Sequence, residues 1–174
     1  MIKNIIWAVV FISTAALLQS TVLSPLRAHI YAVPDLALII LVFTAYVNGT
    51  MTGQLNGFFS GIMIDFISSA PLGLNPLVRT LTGALTGLFK GTFFLDFFFL
   101  PMILCACATF FKALVMFLLN FIFPETVPAY SFLSLTFWSE LGLNIFLSPI
   151  VFAFLKLFSF LLVGQGERAD GRRV

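Results

Sequence analysis

Charge is what this sequence has least of. Of 174 residues only 9% are Asp, Glu, Lys or Arg, whereas 60% are hydrophobic, and the mean hydropathy is +1.10. A soluble domain carries roughly 25% charged residues, so this chain cannot keep a surface wet, and a cytosolic or secreted globule is excluded. The bilayer is most of its solvent. Histidine is almost missing as well: the single one, His29, falls in a loop, and no serine in a recognisable nucleophile context has a base beside it. A membrane aspartyl protease needs two buried carboxylates of like kind, and only Asp65 is clearly an intramembrane aspartate. Clusters of His, Cys, Asp and Glu with metal-ligand spacing are absent, and so is the Gly-x-x-x-x-Gly-Lys-Ser/Thr run of a P-loop. These absences argue against an enzyme and against a metal or other cofactor. The two cysteines, Cys105 and Cys107, are two residues apart on an apolar helix and point to nearly opposite sides, as small apolar side chains. A net charge of +2 gives no electrostatic footprint for nucleic acid.

What is present is apolar run after apolar run. A membrane helix needs about 20 such residues, and the runs are continuous rather than alternating, which predicts helices and not a barrel. Six spans are expected: 5–22; 34–47, opened by Pro34 and Asp35; 51–67; a fourth that starts with Asn75 as N-cap and Pro76 at the first position and ends near 89–91; 97–123; and the long run 132–163, kinked at Pro149. The expected fold class is therefore all-α: one polytopic six-helix membrane bundle over 1–163, with a polar, disordered cytoplasmic tail over 164–174. The run after Lys3 has no cleavage site of the Ala-x-Ala kind and reads as an uncleaved first span. With six spans, Lys3, Lys90, Arg168, Arg172 and Arg173 share one side and Arg27 lies opposite, which puts both termini in the cytoplasm. Trp7 and Tyr46 then fall at the inner interface, and Tyr31, Tyr130 and Trp138 at the outer one.

Two stripes of small residues stand out. Gly53, Gly57 and Gly61 lead to Asp65 at spacings of four; Arg79 leads at the same spacing to Gly83, Gly87 and Gly91. Each set lies on one helix face and lets backbones approach closely in lipid. An antiparallel register of Gly53 with Gly91, Gly57 with Gly87 and Gly61 with Gly83 would also bring Asp65 to Arg79, and so relieve two charges that each cost about 2.5–3.5 kcal/mol inside a membrane. Lys112, near the middle of the fifth span, and Glu140, in the outer part of the sixth, are a second candidate pair; a structural or partner-binding role competes with a transport path.

Several of these residues fall in an order that resembles the MreD family of rod shape-determining membrane proteins. They are Leu18-Gln19-Ser20-Thr21, Pro34-Asp35-Leu36, Gly53, Gly57-Phe58, Gly61, Asp65, Pro71-Leu72-Gly73-Leu74-Asn75, Thr80-Leu81, Gly83 and Gly87. The resemblance covers roughly 17–91; beyond that only hydropathy and length agree. It implies a noncatalytic scaffold in the bacterial inner membrane. The implied partners are an MreC-like single-span coiled-coil protein and an elongation complex with MreB, RodA and a class B penicillin-binding protein, which together direct lateral peptidoglycan synthesis and rod shape. It also implies a bundle similar to the substrate-binding components of energy-coupling-factor vitamin transporters, which are six-helix proteins. Such a component is the alternative reading. The Ala-x-x-x-Ala docking patch of those components fails here, since Ala8 is followed by Ile12 and Ala15 by Gln19; only Ala16 with Ser20 is a small pair.

Overall fold

A computed structural model describes residues 2–23, 32–68, 70–91, 98–128 and 131–162, and all regular structure among them is helical. Helix α1 (Ile2–Leu18) runs into a short π-helical turn (Gln19–Leu23). Then follow α2 (Leu36–Asn48), α3 (Thr50–Ser68), α4 (Leu74–Leu88), α5 (Phe99–Ile122), α6 (Leu135–Leu157) and the single turn α7 (Ser159–Leu162). Three stretches, Asn4–Thr21, Phe99–Ile122 and Leu135–Leu157, are long and apolar enough to cross a membrane; Leu36–Asn48 is apolar but shorter. In α3 and α4 the apolar residues are interrupted by Gly, Thr, Asn and charged side chains. The loop residues Arg27, His29, Tyr31 and Tyr130, the side chain of Lys3, and the tail with Arg168, Arg172 and Arg173 lie outside the described residues.

Helix α2 is the hub. It touches α1, α3, α4, α5 and α6, and Ala37 through Ala45 are buried without interruption. Around it pack Ala8, Ile12, Ala15 and Ala16 of α1, Leu104, Cys105 and Ala108 of α5, and Phe152 and Leu155 of α6. Many large side chains face outward: Phe66, Phe121 and Phe146 are 71–81% exposed. An apolar exterior around an apolar core is the pattern of a bundle solvated by lipid, where close packing rather than the hydrophobic effect joins the helices.

The α3–α4 hairpin shows why the glycines are needed, and it corrects their register. A Cβ at Gly53 would strike the carbonyl oxygen of Gly83, one at Gly57 the carbonyl of Arg79, and one at Gly61 the backbone of Pro76; at Gly87 it would stand 2.5 Å from Thr50. The faces are those expected, but α4 is shifted by eight residues, about two turns. Gly53 meets Gly83, not Gly91; Gly57 meets Arg79, not Gly87; Gly61 meets Pro76, not Gly83. Gly91 takes no part: it lies beyond the end of α4 with φ +70°. The reason for the shift is Asp65. Its carboxylate accepts the backbone N–H groups of Gly73 (2.7 Å) and Asn75 (3.2 Å) and the side-chain amide of Asn75 (2.8 Å). The first N–H groups of a helix have no partner within it and attract an anion, so α4 starts beside the last turns of α3 rather than above them. Asn75 is accordingly not the N-cap. Gly73 is, with φ +97°, and the capping oxygens come from Asp65 across the hairpin.

Helix α6 runs on through Pro149 and ends before Phe158, after which α7 adds a last turn. Proline leaves the carbonyl four residues back without its donor. The Ser148 hydroxyl supplies one, donating to Ile145 at 2.8 Å.

Candidate functional site: a buried ion network at the start of α2

Helix α2 has 13 residues, which rise only about 20 Å at 1.5 Å each, short of an apolar layer about 30 Å thick. Its C-terminal end is tied down where Lys90 Nζ donates to the Asn48 carbonyl at 3.3 Å, a cation at the negative end of a helix. The N-terminal end must then be satisfied by protein, and four charged side chains do this.

Asp35 caps α2, accepting the Leu38 N–H at 2.9 Å. It is 4% exposed. Arg79 of α4 reaches it through Nη2, 3.0 Å from Oδ1 and 3.2 Å from Oδ2. Lys112 of α5 donates to Oδ2 of the same carboxylate at 2.8 Å and to Glu140 of α6 at 2.6 Å. The backbone N–H of Asp35 donates to the Asn144 side-chain oxygen at 2.8 Å. The Asn144 amide then donates to the Thr109 hydroxyl at 3.0 Å, and that hydroxyl to the Cys105 carbonyl at 2.8 Å. Asn144 and Thr109 are completely buried. Two carboxylates and two cations thus cancel, and the network joins α2, α4, α5 and α6. Removing one member of a buried pair leaves an uncompensated charge and costs about 3–5 kcal/mol.

The structure brings Lys112 and Glu140 together and gives Arg79 a carboxylate other than the expected one. Asp65 is spent on Gly73 and Asn75, and Arg79 pairs with Asp35. The shift of the hairpin explains this: Arg79 stands opposite Gly57, two turns from Asp65 on the same face of α3. Pro34 ends the segment that leads into the cap, and Gly73 and Asn75 belong to the Asp65 cap. The central member, Asp35, reads from sequence only as a dipole-favoured residue at a helix start. Asn144 and Thr109 carry no sequence signal of their own. A balance of charge would have been a usable one: Asp35 and Glu140 are the carboxylates that the two intramembrane cations need.

With this geometry in place, the comparison with known families decides. Residues 1–158 match the family model of rod shape-determining protein MreD. The chain belongs to the MreD family. The match spans α1 through α6, so it takes in most of the second half of the chain, where the resemblance rested on hydropathy and length. Membership makes this MreD chain a rod shape-determining membrane protein, of a family that is structural in its known role. No curated protein and no solved structure matches the chain.

Proposed function

We propose that this chain is a noncatalytic scaffold of the bacterial cell-elongation machinery, a six-span protein of the cytoplasmic (inner) membrane with both termini in the cytoplasm. Helices α1 to α6 are its spans, 1–163 its one membrane domain, and 164–174 a cytoplasmic tail. The bundle is of the six-helix kind that energy-coupling-factor substrate-binding components have. The observation that carries the reading is the family match over residues 1–158. The placement of Lys3, Lys90, Arg168, Arg172 and Arg173 opposite Arg27 supports the orientation.

The partner is an MreC-like single-span coiled-coil protein, whose helix docks on a lipid-facing side of the bundle. Through it the chain joins MreB, RodA and a class B penicillin-binding protein and helps direct lateral peptidoglycan synthesis. The charge balance of the buried network favours a holding role over a transport one. Where a helix N-terminus inside a membrane would recruit an anionic substrate in a transporter, this chain fills the place with its own Asp35.

Affinity purification from native membranes in mild detergent, followed by mass spectrometry, tests this. A co-purifying single-span coiled-coil protein, with or without RodA and the penicillin-binding protein, is the expected result. Paired ABC-type ATPases with a coupling subunit in their place would overturn it.

A further inference from the structure

The helices meet at one level at one end of the bundle and stop at different heights at the other. Lys90, just past α4, donates to the Asn48 carbonyl at 3.3 Å, and the Asn48 side-chain amide donates to the Leu162 carbonyl at 2.8 Å. The ends of α2, α4 and α7 therefore share one depth. From that level α2 rises about 20 Å and α4 about 22 Å, whereas α6, which sits on α7, rises about 34 Å. The ion network shows the same step from the other side. Arg79 and Lys112 share the carboxylate of Asp35, at the start of α2. Beyond them α4 adds only the rise from Arg79 to Leu74, about 7 Å, and α5 the rise from Lys112 to Ile122, about 15 Å.

Both sides of the step carry exposed apolar side chains. On α4 these run from Leu77 to Leu88 and on α3 from Met51 to Phe66, heights of about 17 and 22 Å; on α6 they run from Leu135 to Leu157, about 33 Å. Leu72, in the turn before α4, tops the low wall. Its polar limits are Asn75, bound to Asp65, at one end and Lys90 at the other. An apolar layer is about 30 Å thick, so α6 fills it and the α3–α4 hairpin falls short by about 8 Å or more. A short wall is met by snorkelling side chains, by a covering neighbour or by a thinner bilayer. Snorkelling is spent: Arg79 is turned inward onto Asp35, and Lys90 onto Asn48. A covering helix is poorly served. The glycines that would let one approach closely face the inside of the hairpin, and α3 turns Phe58, Phe59 and Phe66 outward.

We infer that the chain thins the bilayer beside the α3–α4 hairpin, drawing one leaflet toward the other by about 8–12 Å relative to the α6 side. Lipid covers the low wall, with its headgroups at the level of Asn75. The displaced leaflet is the one at the Asp35 end, because the helices are level at the other. In the orientation proposed above it is the outer leaflet. The step itself depends neither on that orientation nor on which proteins the chain assembles with.

Quenching of tryptophan fluorescence by phosphatidylcholines brominated at different depths tests it, on the full chain reconstituted in a large excess of lipid. The background is Trp7→Phe with Trp138→Phe. Leu77→Trp reports the low wall and Phe146→Trp the tall one; both side chains are exposed, so neither change disturbs the core. Counted from the common level, Leu77 stands about 20 Å up and Phe146 about 24 Å. In a flat layer Leu77→Trp is therefore the deeper reporter, about 10 Å below the headgroups against about 6 Å. A thinned layer reverses the order. The expected result is that lipid brominated next to the headgroup quenches Leu77→Trp best, and lipid brominated further down the chain quenches Phe146→Trp best. Leu77→Trp deeper than Phe146→Trp, or level with it, would overturn the inference. So would a Leu77→Trp that no brominated lipid quenches, since a second copy or another helix would then cover the low wall. Leu81→Trp and Ile150→Trp repeat the comparison about one turn down should either first variant fail to fold, with Leu81→Trp again expected to be the shallower.

Discussion

Asp35→Ala is the most informative substitution in this chain. The carboxylate serves Arg79, Lys112 and the Leu38 N–H at once. Its removal leaves Lys112 with Glu140 but leaves Arg79 with no anion, and an uncompensated buried charge costs about 3–5 kcal/mol. Loss of the N-cap adds about 1 kcal/mol. Glu140→Gln is the natural control. Lys112 keeps Asp35 and the glutamine oxygen can still accept, but one carboxylate then serves two buried cations, so the cost is about 3–5 kcal/mol with no cap lost. For a chain of this length each kcal/mol moves the melting temperature by roughly 2–4 °C. Asp35→Ala should therefore lower the midpoint by about 8–24 °C, and Glu140→Gln by about 6–20 °C. The assay is thermal unfolding of the purified protein in one detergent, followed by the fluorescence of Trp7 and Trp138. A larger shift for Glu140→Gln than for Asp35→Ala, or a shift of only a degree or two for Asp35→Ala, would refute a network centred on Asp35.

The other expectations concern the hairpin and the topology. Gly57→Leu and Gly87→Leu should each abolish folding or lower the melting temperature severely, because the first carbon of the new side chain already meets the backbone of Arg79 or Thr50. Gly142→Ala, where a Cβ meets nothing, should be neutral or stabilise by up to about 1 kcal/mol, and the same melts compare them. Asp65→Ala should cost about 1–3 kcal/mol by releasing the Gly73 and Asn75 donors, while Asp65→Asn, which keeps an acceptor, should cost less; hydrogen exchange at the Gly73 and Asn75 amides should show the loss of protection directly. Alkaline phosphatase fused after Val174 should be inactive and a fluorescent protein fused there should light up; the reverse would overturn the cytoplasmic placement of both termini.

The sequence shows faces and lengths more plainly than registers. A four-residue spacing of glycines says which side of a helix meets its neighbour, because each helix repeats on its own axis. It does not say how far one helix slides along the other, since a tandem stripe fits itself equally well after a shift of one turn. Here the register was settled by residues outside the stripes: the carboxylate of Asp65 capturing the first N–H groups of α4. Pairing Asp65 with Arg79 satisfied two charges, but it left the start of α4 uncapped within the apolar layer. Likewise Lys112 and Glu140 were visible as charges in apolar runs, whereas Asn144 and Thr109 were not, because one buried amide or hydroxyl looks like any other until two helices bring it to a partner.

The glycine seam and the ion network meet in one residue. Gly57 packs on the backbone carbonyl of Arg79, and Asp35 holds the guanidinium of the same arginine. The seam makes α3 and α4 a hairpin by backbone contact alone, with no charge needed; the network then fixes that hairpin to α2, α5 and α6. Because α4 can present Arg79 to Asp35 only when its register on α3 is right, the close approach at Gly57 sets the depth at which the charge arrives, and the charge in turn penalises any slip of the seam. A two-turn slip, the one the stripe itself would tolerate, would carry the guanidinium about 11 Å along the helix axis, away from Asp35 and onto Asp65, and would take Asp65 from the start of α4. The repeated glycines allow several registers, and the Asp65 cap on α4 together with the Asp35 pair on Arg79 selects among them.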